Sequence, residues 1–315
     1  MCGLNHVIGS SNPCTPLPET KVTKAVTLST RGGRGASARK SLGQHFLTDS
    51  RTVGRILEAA DLSRDDVIVE IGPGRGFLTR RLVGRVKRVV AIELDGKLAA
   101  DLPSRLGFPA SLTCIEADAR EVDLAGIIAP DNRYKVVANL PYYAANPIVR
   151  RLLESQPKPD LLVVMVQQEV AKNMVAQPGD MRILSVATQF YAKAKMVCSV
   201  PPRYFRPPPK VTSAVVRLDV LSEPAVEVAS EDEFFQVVRA GFAAPRKQIR
   251  NSLSQGLGIQ PSVAGQILER AGIDSTRRPQ TLNITEWASI YQAMSLFARP
   301  IDAGARDDRA PNEER

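Results

Sequence analysis

An α/β fold, a doubly wound sheet followed by a smaller all-α region, is what this sequence predicts. Three observations carry the prediction. From Asp66 onward, short apolar runs alternate with helical patterns, the layout that parallel strands joined by crossover helices require. The first of those runs ends directly in Gly72-Pro73-Gly74-Arg75-Gly76, a turn whose glycines let backbone N–H groups approach a ligand closely. Past Leu221 the texture changes to helical periodicity with short breaks.

Taken in order, residues 1–40 are rich in Ser, Thr, Pro and Gly and lack apolar periodicity. They are expected to form a disordered basic leader, with residues 31–40 as its arm. A transit peptide would fit the scarcity of acids, but Arg is absent from the first thirty residues and no amphipathic helix is evident. Strands are expected at 67–71, 88–92, 112–115 and 134–138, with helices from the glycine turn to about residue 84, at 95–102 and at 147–154. Residues 161–166 form a continuous apolar strand of the kind buried on both faces. Helices follow at 168–175 and 183–191, then strands at 196–200 and 213–218 around a Pro-rich loop. The patterns at 231–243, 246–253, 262–271 and 285–297 are helical. The expected division is a leader (1–40), an α/β domain (41–222), a helical domain (223–299) and a disordered tail (300–315).

Composition narrows the function classes. With 43% hydrophobic residues the chain can build a sizeable core, yet no apolar run approaches a membrane span. No signal-peptide layout is present, so a cytoplasmic protein with no membrane partner is expected. The four cysteines (Cys2, Cys14, Cys114, Cys198) show no paired ligand spacing, and only His6 and His45 are histidines. No metal site is therefore expected, and a reducing compartment fits. The net charge is +9, of which +5 lies before Ser41 and −2 after Pro300. The body stays basic, and polyphosphates such as nucleic acid are the first partners to consider.

Chemistry concentrates at the predicted strand ends. Glu93 closes the second strand, where a carboxylate can accept both ribose hydroxyls of a nucleoside; a solvated strand-end acid is the plainer reading. Asp118, near the third strand end, can accept from an adenine amine or cap the segment that follows. The fourth strand runs into Asn139-Leu140-Pro141-Tyr142. An adenine N6 amine is a poor nucleophile because its lone pair is delocalised into the ring. An Asn side-chain oxygen and an adjacent backbone carbonyl can each accept one of its N–H groups and draw that pair out of conjugation. Pro141 stiffens the turn, and Tyr142 offers a flat face for an unstacked base. Asn and Pro also make ordinary strand-ending turns.

These segments resemble the ribosomal RNA adenine N6,N6-dimethyltransferase family, in its small-subunit rRNA branch. The resemblance runs from about Lys40 to about Met294. It rests on Ser41-Leu42-Gly43-Gln44-His45-Phe46-Leu47, the glycine turn, Ile92-Glu93-Leu94-Asp95, Asp118-Ala119 and the Asn139–Tyr142 corner. It also rests on the loop from Val200 to Ser213, on Phe242 to Asn251 and on Arg278-Pro279-Gln280-Thr281-Leu282. The resemblance implies a Rossmann-like class I methyltransferase sheet, S-adenosylmethionine as cofactor, and dimethylation of two adjacent adenosines in 16S rRNA during ribosome assembly. It implies that His45, Leu47, Gly72, Gly74, Glu93, Asp118 and Asn139 border the cofactor. Tyr142 and Phe205 would sandwich the flipped adenine, with Tyr143 and Tyr204 as adjacent alternatives and a core anchor as the plainer role for Phe205. Many members carry Asn where this chain has His45, whose imidazole can still make one hydrogen bond.

The expected partner is small-subunit rRNA in an immature subunit, bound by a monomer. Lys210, Arg246, Lys247, Arg250, Arg277 and Arg278 are candidate phosphate contacts, or solvated helix-face charges. The rivals are a large-subunit (23S) adenine methyltransferase conferring macrolide resistance, a non-catalytic RNA-binding assembly or transcription factor on the same fold, and a nicotinamide dehydrogenase.

Overall fold

The computed structural model describes residues 44–298. The expectations for 1–40 and 300–315 lie outside the described residues. Seven strands form one sheet: β2 (Val67–Ile71), β3 (Arg88–Glu93), β4 (Leu112–Glu116), β5 (Lys135–Asn139), β6 (Leu161–Gln167), β7 (Ala192–Val200) and β9 (Ser213–Val220), in the order β4-β3-β2-β5-β6-β9-β7. The first five run parallel, and β9 is antiparallel to both β6 and β7. Strand order reverses direction between β2 and β5, and a crevice forms where the chain departs to opposite sides of the sheet. A separate two-stranded ribbon pairs β1 (Phe46–Leu47) with β8 (Phe205–Arg206), setting Leu47 opposite Phe205.

The strands with the longest buried runs are almost wholly apolar, with Glu70 of β2 the exception. Every residue of β2 is buried, as are Leu161 to Val166 of β6. The helices around the sheet start where the sequence supplies an acceptor. In α1 (Ser50–Ala60), the Asp49 carboxylate accepts from the Thr52 amide at 2.7 Å. In α3 (Gly96–Arg105), Asp95 accepts from the Lys97 and Leu98 amides. Such caps satisfy N–H groups that the first helical turn leaves without partners.

Several elements differ from the sequence reading. The glycine turn leads into turns and only a short α2 (Thr79–Leu82), not a helix to residue 84. α1, the short α4 (Leu124–Ile128) and the β1–β8 ribbon are additional. α5 (Ala145–Glu154), α6 (Gln168–Met174) and α7 (Ile183–Tyr191) fall where helical periodicity placed them. The region after Leu221 is helical: α8 (Glu231–Gly241), α9 (Ile249–Leu257), α10 (Pro261–Arg270) and α11 (Ile284–Ala298). α9 starts three residues later than expected, so Arg246 and Lys247 lie in the turn before it.

One buried apolar cluster runs from the sheet through α7 into these helices, with Phe190 stacked on Phe234 at 5.0 Å and in edge contact with Phe235. Aromatic pairs at such distances add to burial. Among the described residues, no helix is long and apolar enough to cross a membrane.

Candidate active site

The C-terminal ends of β2, β3 and β5 open onto a cavity of about 770 Å³. The glycine turn forms its floor. Gly72 and Gly74 have φ of +68° and +57°, a region that L side chains rarely adopt. A Cβ on Gly72 would lie 3.4 Å from the Asn139 carbonyl oxygen. The turn therefore packs against the Asn139 corner at a closeness that suits a bare backbone.

Glu93 is 7% exposed, and its two carboxylate oxygens are held by different backbone donors, the Asp95 amide and the Gly74 amide, each at 3.0 Å. Burial pushes its carboxyl up while those two amides pull it down. Each oxygen keeps further acceptor capacity, so the clamped carboxylate can receive two hydroxyls. One strand away, Glu70 is 1% exposed and borders the same cavity, and its Oε2 has no hydrogen-bond partner. The sequence reading includes Glu70 only as part of the glycine motif; a lone acid inside an otherwise apolar strand is the available signal.

Asp118 is engaged. Its carboxylate pairs with the Arg120 side chain at 2.5 Å and accepts the Arg120 amide at 2.8 Å. The Arg120 side-chain hydrogen bonds hold it below the usual carboxylate range. The capping alternative describes a tight turn at Asp118, while the N-cap of α4 is Asp123.

Asn139 ends β5 with its Nδ2 donating to the His45 carbonyl at 3.3 Å, which leaves its Oδ1 as an acceptor at the cavity wall. The Leu140 amide donates to the Met165 carbonyl and the Pro141 carbonyl accepts the Ala144 amide. Tyr142 is tied by its hydroxyl to Ser213 Oγ at 2.5 Å. Its ring stacks on His45 at 5.9 Å between centroids, and His45 Nδ1 is 2.8 Å from the Pro207 carbonyl. His45 thus bridges the corner and the Pro-rich loop. Leu47 lies beside it in β1, 6% exposed.

Two expectations need correction. Phe205 borders the cavity but offers no exposed face: β8 pairs with β1, and the ring packs into an apolar cluster with Leu47, Val200 and Val215. The neighbouring Tyr143 is 56% exposed. Arg277 is not a free phosphate contact either. It pairs with Glu286 and donates to the Thr281 carbonyl and hydroxyl, clamping the start of α11. Lys210, Arg246, Lys247, Arg250 and Arg278 are exposed.

A family model described as "Ribosomal RNA adenine dimethylase" matches residues 35–291. The chain belongs to the ribosomal RNA adenine dimethylase family. It is 44% identical over 250 residues to a "Ribosomal RNA small subunit methyltransferase A" of Dehalococcoides mccartyi, covering 79% of this chain and 86% of the relative. A protein of the same name from Pelotomaculum thermopropionicum is 43% identical over 284 residues, covering 86% and 94%. Among solved structures, the "23S rRNA methyltransferase ErmE" aligns with a TM-score of 0.65 and 28% identity, covering 79% of this chain and 99% of that one. A "dimethyladenosine transferase from Plasmodium falciparum" aligns with a TM-score of 0.70 at 23% identity, covering 80% and 98%. The fold is thus the Rossmann-like methyltransferase sheet with a helical C-terminal region.

Proposed function

We propose that this dimethyltransferase transfers methyl groups from S-adenosylmethionine to the N6 amines of two adjacent adenosines of 16S rRNA, acting as a monomer on an immature small subunit in the cytoplasm. Residues 41–222 would carry the chemistry and 223–299 would dock the RNA. The observation that carries the reading is the Asn139 corner. Its side-chain nitrogen is anchored to the His45 carbonyl, which leaves the side-chain oxygen as an acceptor beside the cavity, while its backbone carbonyl packs against the glycine turn.

The residues present fit S-adenosylmethionine. The glycine cradle admits close backbone approach, Glu93 offers two fixed acceptors to a ribose diol, and the buried acids Glu70 and Glu93 suit a ligand with net positive charge. Leu47, Gly72, Gly74 and Asp118 would complete its contacts, with His45 bridging to the base. When bound, that cofactor supplies an electrophilic methyl group on a sulfonium.

The chain's own part is positioning and electrostatics. Asn139 Oδ1 and the Leu140 carbonyl each accept an N–H of the target amine, aim its lone pair, and stabilise the positive charge that develops on nitrogen. Tyr142, held by Ser213, stacks on the extruded base, an interaction worth roughly 1–3 kcal/mol. A sandwich with Phe205 requires the β1–β8 ribbon to uncover that ring. The proton leaves after transfer, so no side-chain base is needed.

The small-subunit reading is preferred over the large-subunit one because the relatives named for the small subunit share 44% and 43% identity, against 28% for the 23S enzyme. Incubation with labelled S-adenosylmethionine and immature small or large subunits, followed by mass mapping of methylated adenosines, tests it. Label confined to the large subunit, or to guanosines, would overturn the assignment.

A further inference from the structure

Glu70 is the penultimate residue of β2, side by side with Ala91 of β3 and Val137 of β5. Its carboxyl is 1% exposed, borders the cavity, and has one oxygen without any hydrogen-bond partner. Thr79, at the start of α2, turns its hydroxyl and backbone amide toward this carboxyl and partly offsets its burial, but neither its hydroxyl nor Glu70 Oε2 reaches hydrogen-bond geometry. The titratable groups facing Glu70 are Glu93 on β3 and Cys114 on β4; Asp95, beyond Glu93, adds a further acid. Arg75, Arg80 and Arg81 line the cavity from the glycine turn and α2. A bare carboxylate in that place is costly, because it lies beside other acids and one of its oxygens has no donor. A neutral carboxyl, which can donate, relieves both penalties.

We propose that Glu70 is a further binding residue for the cofactor's cationic end: it holds a proton while no cation is near and releases that proton to solvent when a cationic ligand enters the cavity. Burial pushes the Glu70 carboxyl up to about 8, with the Thr79 hydroxyl opposing and the Glu93 charge adding to the rise. An opposite charge within ~4–6 Å lowers such a carboxyl by roughly 1–3 units, which carries it to neutrality or below. The arriving charge thus gains a full counter-ion that the empty protein never has to bury. The inference rests on the cofactor reading given above.

Titration calorimetry of the full-length protein with S-adenosylmethionine at about pH 6.5, in two buffers of different protonation enthalpy, counts the proton directly. At that pH the ligand's own α-amine, which titrates near ~7.7–8.0, stays charged. The wild type is expected to release roughly 0.2–0.9 proton per ligand, and Glu70→Gln, which copies the neutral acid, to release none. S-adenosylhomocysteine, which keeps the ammonium but lacks the sulfonium, serves as a second ligand. Release that persists assigns the ammonium as the cation, and release that vanishes assigns the sulfonium. Binding heat without buffer dependence, or release that survives in Glu70→Gln, would overturn the role of Glu70 and leave the cofactor reading standing. No binding of S-adenosylmethionine at all would instead bring down the cofactor reading itself. Difference infrared spectra of the wild type follow the same proton without relying on the variant's folding: a protonated-carboxyl band should convert to carboxylate on adding ligand, and its absence would overturn the proposal.

Discussion

The two walls of the crevice are built in opposite ways. On the wall proposed for the cofactor, Glu93 is gripped by amides at positions 74 and 95, and the glycine turn lies at the end of an adjacent parallel strand. The backbone of two neighbouring strand ends does most of the holding. On the wall proposed for the base, Asn139, His45, Tyr142, Pro207 and Ser213 are joined across as many as 162 residues of sequence, by side-chain contacts from the residue before β1, the end of β5 and its turn, the Pro-rich loop and β9. A wall made of backbone donors is fixed once the sheet forms. A wall made of side chains from separate segments depends on how those segments pack, the β1–β8 ribbon among them. The contrast teaches that cofactor affinity and methyl transfer should respond separately to mutation.

The sharpest way to break this comparison is at Asn139. Replacement by Ala removes one acceptor for the target amine and the anchor to His45. Methyl transfer should fall by roughly 10²–10³-fold, the cost of removing one preorganised transition-state group. Calorimetry should show cofactor affinity within a few-fold of wild type. Loss of both together would mean that the two walls are one unit. Glu93→Gln makes the converse cut. An amide nitrogen at either carboxylate position faces a backbone N–H, and the charge that strengthens both ribose contacts is gone. Cofactor affinity should weaken by about 10–100-fold, corresponding to ~1.5–3 kcal/mol for a hydrogen bond to a charged group, while RNA binding measured by filter retention stays unchanged.

The same contrast explains what was legible in the sequence. β2, β3 and β6 are readable because a short apolar run can satisfy its backbone only inside a parallel sheet, and the glycine turn marks where the first one ends. α1 is legible but absent from the sequence reading: Val53, Ile56, Leu57 and Ala60 fall at the i, i+3, i+4, i+7 spacing of one helix face, and Asp49 caps it just past the Ser41–Leu47 segment read for its family resemblance. Phe205 looked presentable because it stands in a Pro-rich loop. Nothing local reveals that its strand partner lies about 160 residues earlier and turns the ring inward. Glu70 was hidden for the opposite reason. An acid in a glycine motif looks like part of the turn, and its unpartnered oxygen is visible only in three dimensions.

A third, smaller effect separates fold from function in the helical region. Arg277→Ala breaks the clamp on Glu286 and Thr281, a part-buried, charge-assisted contact, and should cost about 1–2 kcal/mol of stability in chemical denaturation. RNA affinity at fixed folded protein should not change.

The smallest effect is expected in the turn before α9 and its first residues. Arg246, Lys247 and Arg250 are exposed, and the Lys247 ammonium has only a 3.4 Å contact to Gln255. As phosphate contacts they contribute additively and without regard to sequence. Each neutralisation should lower the slope of log affinity against log salt by about 0.7–0.9, weaken binding to the subunit a few-fold near physiological salt, and leave the folding midpoint in place. The triple Ala variant should therefore raise KM for the subunit while kcat and cofactor affinity hold, because the crevice walls are untouched. A slope unchanged in the triple variant would make this cluster a solvated helix-start face and move the docking surface elsewhere on the molecule. The pair Arg277 and Arg246 then becomes the discriminating experiment for the helical region: one arginine that alters stability without touching the salt slope, and one that alters the slope without touching stability.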